Sequence, residues 1–222
     1  MTLGEELLVL CLDETRGTVL RQASQALSYA LAGAAVMDLT LMGRLRLEDR
    51  DVAVVDATPT GDDVLDDALR AIAASRRPRS AKHWVNALQR AVPGHRRRLA
   101  ERLVRRGALR AEEHVTLGVF RSTRHPLNDR GLRAALDERM RSAVLDGAAL
   151  VDAETAALIG LAQASGVLDL HLSREERRAV RGRVREIVAG SAVGGAVADT
   201  VQAVNAAVMA GITAAVTAST SG

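Results

Sequence analysis

The chain has 222 residues, a formal net charge of +3 and 48% hydrophobic residues, enough to bury a sizeable core in one domain or in two closely packed ones. Aromatic residues make up only 1%, so the core must be built from Ala, Val and Leu, which favours closely packed helices. A single cysteine, Cys11, excludes an intrachain disulfide and any multi-cysteine metal site, and its apolar surroundings make it a buried small hydrophobe.

Thr2 and Glu5 stand at capping-box spacing before LLVLCL, which predicts a short first helix over Thr2–Leu12. Glu5 and Glu6 occupy the place where a signal peptide carries positive charge. The expected location is therefore cytoplasmic, or peripheral on the inner face of the cell membrane. Residues 22–42 carry Leu27, Leu31, Ala35 and Leu39 at four-residue spacing and predict a helix that Gly43 ends. Gly33 within it admits a second helix at close range. RLRLE and Val52–Val55, joined by EDRD, predict a small β-hairpin near 44–56. Asp62, Asp63, Asp66 and Asp67 open the next helix and suit its positive N-terminal end. No histidine or glutamate completes a metal site beside them, so no metal is expected. SRRPRS reads as a basic loop, and Ser80 as the cap of a helix bearing Trp84, Val85 and Leu88.

The most basic stretch comes next. Between Arg90 and Arg106 there are seven arginines and one histidine against one glutamate. Leu99 and Leu103 share one helical face, and Arg98, Arg102 and Arg105 follow similar spacing on another. The expectation is a helix docked by leucines that presents positive charge, with Gly107 as its C-cap. Val115–Phe120 reads as a strand of a second hairpin near 110–121. Helices with Asn128 and Asp152 as caps follow, the first carrying a Leu132, Leu136, Met140 and Val144 stripe. Ser173 and Glu176 form another capping-box signature, before Val180, Val184 and Ile187. Residues 192–217 are small and apolar almost throughout. Asp199, Gln202 and Asn205 interrupt them, which favours a central buried helix over a membrane span.

Three function classes differ in what they require. A basic helix beside an apolar hairpin suits a peripheral membrane module, with arginines on lipid phosphates and Val115, Leu117, Val119 and Phe120 in the interfacial layer or in self-association. The alternative is a winged-helix-like nucleic-acid-binding protein using residues 95–106 as its recognition helix, although that helix lacks Asn and Gln for reading bases. Catalysis needs a positioned acid–base pair, and His83, His95, His114, His125 and His171 are scattered. No enzyme activity, catalytic residue or cofactor is expected.

The segments TLGEELLVLCLDETRG, LAGAAVMDLTLMGRLRLE, DATPTGDDVLDDAL, RRRLAERLVRRGAL and RHPL occur in this order, followed by LIGLAQASGVLD and ADTVQAVNAAVMAGITAAV. This series resembles the Golgi phosphoprotein 3 (GPP34) family over nearly the whole chain. Arginine serves as the basic residue everywhere except Lys82, which fits a bacterial, actinobacterial member from a GC-rich genome. The resemblance implies a single domain over residues 1–222 with a mainly α fold, a helical core bundle ringed by amphipathic helices and a protruding hairpin. It also implies binding of phosphatidylinositol 4-phosphate or a similar anionic headgroup, an adaptor role toward a protein client, and homo-oligomer formation through the hairpin. The implied lipid-binding residues are Arg96, which keeps a family headgroup position, its neighbours Arg97 and Arg98, and Arg21 near the first turn. The family's other pocket positions differ here: no aromatic occurs in Leu20–Ala23, Ala32 stands before Gly33, and Pro93 replaces the first of an arginine pair.

Overall fold

A computed structural model describes residues 1–48, 51–116, 120–146, 150–190 and 198–220. Among the described residues there are ten α-helices, a three-stranded sheet and a two-stranded hairpin. The expected class, a helical core with small β-hairpins, is the observed one.

Helix α1 (Leu3–Cys11) is buried along almost its entire length, with only Glu6 half-exposed. An all-round apolar helix of this kind has to sit inside the bundle. Its start is fixed by the capping box: the Thr2 hydroxyl accepts from the Glu5 N–H and the Glu5 carboxylate accepts from the Thr2 N–H. Helix α2 (Leu27–Leu41) is equally apolar and packs on α1. It starts five residues later than its spacing suggests, because residues 21–26 form a succession of turns. Gly43, at φ +70°, ends the path from α2.

Strands β1 (Leu45–Glu48) and β2 (Asp51–Val54) pair antiparallel as expected. The supposed basic loop supplies a third strand, β3 (Arg79–Ser80), on the far side of β2. Helix α3 (Asp63–Ala73) is capped by Asp62, whose carboxylate accepts from the N–H groups of Val64 and Leu65. Helix α4 (Ala81–Ala91) is capped by Ser80. Helix α5 (His95–Arg105) docks through Leu99, Ala100 and Leu103.

Strands β4 (Glu112–Thr116) and β5 (Phe120–Arg124) form the second hairpin, at 112–124 rather than 110–121. Val115–Phe120, read above as one strand, instead spans the end of β4 and the start of β5. Helix α6 (Arg130–Leu145) is capped by Asp129, not Asn128. The Asn128 side chain donates to the Gly107 carbonyl at 2.7 Å and ties the α5 exit to the α6 entry. Helix α7 (Ala153–Ala164) follows its Asp152 cap, and a 3-10 turn covers Leu168–Leu170. The next helix is split at Val180 into α8 (Arg174–Ala179) and α9 (Arg181–Val188).

Helix α10 (Ala198–Thr220) lies against α2, α4 and α7, with Val201, Val204 and Val208 fully buried. Close approach depends on glycine. A Cβ on Gly33 would fall 2.5 Å from Val208, and one on Gly160 2.2 Å from the Asn205 side chain. Among the described residues, no helix is long and apolar enough to cross a membrane.

Candidate anion-binding site at the start of helix α5

The Arg-rich stretch divides into two populations. Arg98 and Arg102 point at α3, whose first turn is acidic. Arg98 contacts Asp63 and Asp67 at 2.6 Å each, shielded to 19% side-chain exposure. Arg102 pairs with Asp62 and with Asp63 at 3.3 Å, and reaches the fully buried Glu5 at 3.0 Å. Arg106 reaches the other Glu5 oxygen at 2.6 Å. Burial works against the Asp63 carboxylate, yet the Arg98 hydrogen bond and the Arg98 and Arg102 charges hold its pKa below the usual range. The Arg98 and Arg70 hydrogen bonds do the same for Asp67. The aspartates expected only to suit the helix end thus also bind α5 to α3. Arg98, proposed from sequence as a lipid contact, has its guanidinium committed to this internal network.

Arg96 and Arg97 behave differently. Both are exposed, in the first turn of α5. Arg97 has one weak carboxylate neighbour, Glu101, at 3.8 Å. Gly94 precedes the helix in the left-handed region at φ +65° and brings no capping side chain. Positive side chains here meet the positive end of the helix dipole, where acidic residues are usually favoured. Arginines and open N–H groups together make a local excess of donors and charge suited to an anion.

Two cavities flank this turn. The larger, about 940 Å³, is lined by Arg96, Arg97, Arg105, Arg124, His125 and Gly17, among others. The smaller, about 330 Å³, runs from Arg96 and His95 to Ser24, Ser28 and Gln89. The hairpin forms one wall of the larger cavity, and its base is held by the loop after α1. The His125 N–H donates to the Gly17 carbonyl at 3.0 Å. Gly17, at φ +62°, is required there: a Cβ would fall 2.1 Å from the Pro126 nitrogen. Desolvation and the Arg96 charge lower the His125 pKa, so it adds little positive charge near neutrality. His95 is pushed down to about 4 by burial and by Arg98 and Arg102.

Arg21 is exposed in the turn that follows Val19 and Leu20, and its carbonyl accepts from the Ser24 hydroxyl at 2.8 Å. It lies near the smaller cavity in sequence without lining it. On the hairpin, Val115 is 50% exposed and pairs across with Arg121. Phe120 opens β5 opposite Thr116. Leu117 and Val119 lie outside the described residues, as does the Phe120 side chain. Arg105, expected only as part of a charged helical face, and Arg124 and His125, which sequence reasoning missed, also line the larger cavity. The signal for Arg124 and His125 was the RHPL segment, whose basic pair follows the hairpin.

Cys11, His83 and His171 are held in structural contacts. Cys11 is fully buried beside the Ser165 hydroxyl, and burial pushes its thiol up to about 12. His83 packs edge-on against Trp84 with ring centroids 5.1 Å apart. His171 Nδ1 lies 2.7 Å from Asp137. No group of three or more potential metal ligands occurs among the described residues.

The sequence profile of the Golgi phosphoprotein 3 (GPP34) family matches residues 3–204. The chain belongs to that family. Relatives include the vacuolar protein sorting-associated protein 74 of Schizosaccharomyces pombe, 31% identical over 166 residues, covering 64% of this chain and 48% of the relative. The protein of the same name from Eremothecium gossypii is 29% identical, covering 65% of this chain and 49% of its own. The matched region is about half the length of these fungal relatives. Membership accounts for the ordered segments in the sequence and for the helical core with its hairpin.

Proposed function

We propose that this GPP34-family chain is a peripheral membrane protein that binds anionic phospholipid headgroups at the first turn of α5, with the β4–β5 hairpin beside the lipid surface. The observation that carries this reading is the pair Arg96 and Arg97: exposed, weakly paired, and placed at an open helix N-terminus between two cavities. Arg98 supports the site from behind by fixing α5 to α3, and does not contact the headgroup. Arg21 contributes to the potential of the same surface. Arg105 and Arg124 line the larger cavity and extend the positive surface toward the hairpin. Each arginine near an anionic surface contributes about 1 kcal/mol. The exposed Val115 suits the interfacial layer, and in this reading Leu117, Val119 and Phe120 do so too.

The departures at Ala32 and Pro93 favour recognition of clustered negative charge over one particular phosphoinositide. Phosphatidylinositol 4-phosphate is then one suitable headgroup among several. In this reading the membrane-bound chain serves as an adaptor that presents a client protein at the membrane, with the hairpin also available for self-association. A winged-helix role is less well supported, since Arg98 and Arg102 of the would-be recognition helix are spent on α3.

Co-sedimentation with phosphatidylcholine vesicles, with and without phosphatidylserine or phosphatidylinositol 4-phosphate, tests the reading. Binding should require the anionic lipid, fall with salt, and be lost in Arg96→Glu. Arg76→Glu, at an exposed arginine in the α3–β3 connection, controls for net charge. Equal binding to neutral and anionic vesicles, or equal losses in the two variants, would remove the site.

A further inference from the structure

A second arginine cluster lies on α8 and α9, away from the first turn of α5. A cavity of about 490 Å³ opens between the 3-10 turn at Leu168–Leu170 and these helices. Its lining contains Arg174, Arg177, Arg178, Arg181 and Arg185 against one carboxylate, Asp169. Arg174 and Arg178 stand four apart on α8, Arg181 and Arg185 four apart on α9, and all four line the same cavity. The backbone stays right-handed through Val180, whose N–H donates to the Glu176 carbonyl while its carbonyl accepts from the Val184 N–H.

Like charges at this spacing disfavour the helix they stand on, so the row has an intrinsic cost. The nearby carboxylates do not relieve it. Glu176 is turned the other way, where it closes the capping box with Ser173 and takes a double hydrogen bond from Arg141 of α6 at 2.5 and 3.0 Å. Glu186 pairs with Arg183 at 3.5 Å. Glu175 is exposed and does not line the cavity. Arg177 donates to the Asp169 carbonyl at 3.1 Å, and Arg185 to the Arg181 carbonyl at 3.2 Å, which shapes the wall without neutralising it. Among the described residues, Arg174, Arg178, Arg181 and Arg185 meet no carboxylate. Elsewhere Arg44, Arg98, Arg102, Arg106, Arg139 and Arg141 all do.

Behind the arginines the wall is apolar and buried: Leu168, Leu172, Val180 and Val184 are each less than 8% exposed. A cleft of one charge sign over such a wall focuses its field into the opening. Guanidinium groups at successive turns match phosphate oxygens better than carboxylates spread along an acidic peptide. A single phosphate would engage one or two of the four, whereas linked phosphates would engage the row.

We propose that the cleft between the 3-10 turn and helices α8–α9 is a second anion-binding site, for a ligand carrying several linked or closely spaced phosphates. The ligand is either a free oligophosphate or a multiply phosphorylated lipid headgroup. The site is separate from the one at α5 and does not depend on it.

Calorimetric titration of the full chain with inorganic tripolyphosphate tests this. Wild type and the charge control Arg76→Glu should bind alike, and an Arg178→Gln/Arg181→Gln double variant should bind about tenfold more weakly or worse. Arg174→Gln provides a milder variant should the double one fold poorly, with an intermediate loss expected. A parallel arm measures binding to phosphatidylcholine vesicles with and without phosphatidylinositol 4,5-bisphosphate. Loss in the double variant there as well assigns the site to a lipid headgroup; loss with tripolyphosphate alone assigns it to a soluble anion. No tripolyphosphate binding by wild type, or an equal loss in Arg76→Glu and the double variant, overturns the proposal. Duplex DNA binding that tripolyphosphate does not compete would also overturn it.

Discussion

Replacing Arg96 by glutamate should make the protein more stable and poorer at binding anionic membranes. Arg96 occupies the second position of α5, in a turn with no acidic residue and no side-chain cap. A cation there opposes the helix dipole and a carboxylate complements it, each by about 0.3–1 kcal/mol. The exchange should therefore stabilise by roughly 0.5–2 kcal/mol at low ionic strength. For a chain of this size that is a rise of about 1–8 °C in melting temperature. Removing one positive charge and adding one negative should cost vesicle binding about 2 kcal/mol, or roughly thirtyfold. Arg96 also depresses the His125 pKa, second to desolvation, so the substitution should move that pKa upward toward the ordinary histidine value. Thermal melts, vesicle co-sedimentation and an NMR titration of His125 read the three effects. A lower melting temperature with unchanged vesicle binding would refute the reasoning. It would mean that Arg96 serves the fold and that the open turn is not a ligand site.

Glu5→Gln should destabilise by about 3–5 kcal/mol, because it leaves Arg102 poorly compensated in a buried position; chemical denaturation measures it, and a loss under 1 kcal/mol would mean that Asp62 and Asp63 suffice. Asp38 accepts from the Leu3 and Gly4 N–H groups, and burial raises its pKa to about 7 despite those bonds. With the folded value above the unfolded one, its contribution is fullest below about pH 4 and fades as pH rises through 7, by at most about 1.4 kcal/mol per pH unit. Asp38→Asn should therefore gain on wild type between pH 4 and pH 8 in urea melts, and a constant difference would contradict the assignment. Gly33→Ala should cost about 1–3 kcal/mol through its clash with Val208, and Val208→Ala should recover part of that loss in the double variant; strictly additive losses would show that α10 shifts instead.

Much of the fold was legible because its signals are local. Thr2 with Glu5 and Ser173 with Glu176 are complete capping boxes within four residues, and both form as read. Leu136, Met140 and Val144 share a face by spacing alone and are buried together. Less legible were features set by partners distant in sequence. Arg79 and Ser80 become a strand only because β2 offers an edge. The turns at 21–26 replace helix where nothing in their own composition requires it. Asp129 displaces Asn128 as the α6 cap because Asn128 is drawn to the Gly107 carbonyl.

The same distinction governs the candidate site. Arg96, Arg97 and Arg98 are consecutive and chemically identical, so no local pattern tells them apart. Helical rotation of about 100° per residue does. It turns Arg98 toward Asp63 and Asp67, some 31 to 35 residues earlier in the chain, and leaves Arg96 and Arg97 outside that network. The acidic cluster at 62–67 was visible in the sequence as a helix start, and the basic cluster as a charged face. Each was assigned to its own helix, although Asp62 both caps α3 and pairs with Arg102. Counting charge in a sequence window therefore overstates the number of arginines available to a ligand. The useful count subtracts those whose face meets acid on a packed neighbour. By that count α5 keeps Arg96, Arg97 and Arg105, while α8 and α9 keep Arg174, Arg178, Arg181 and Arg185 around one cleft. The longer basic run in the sequence is thus the one more fully neutralised by the fold.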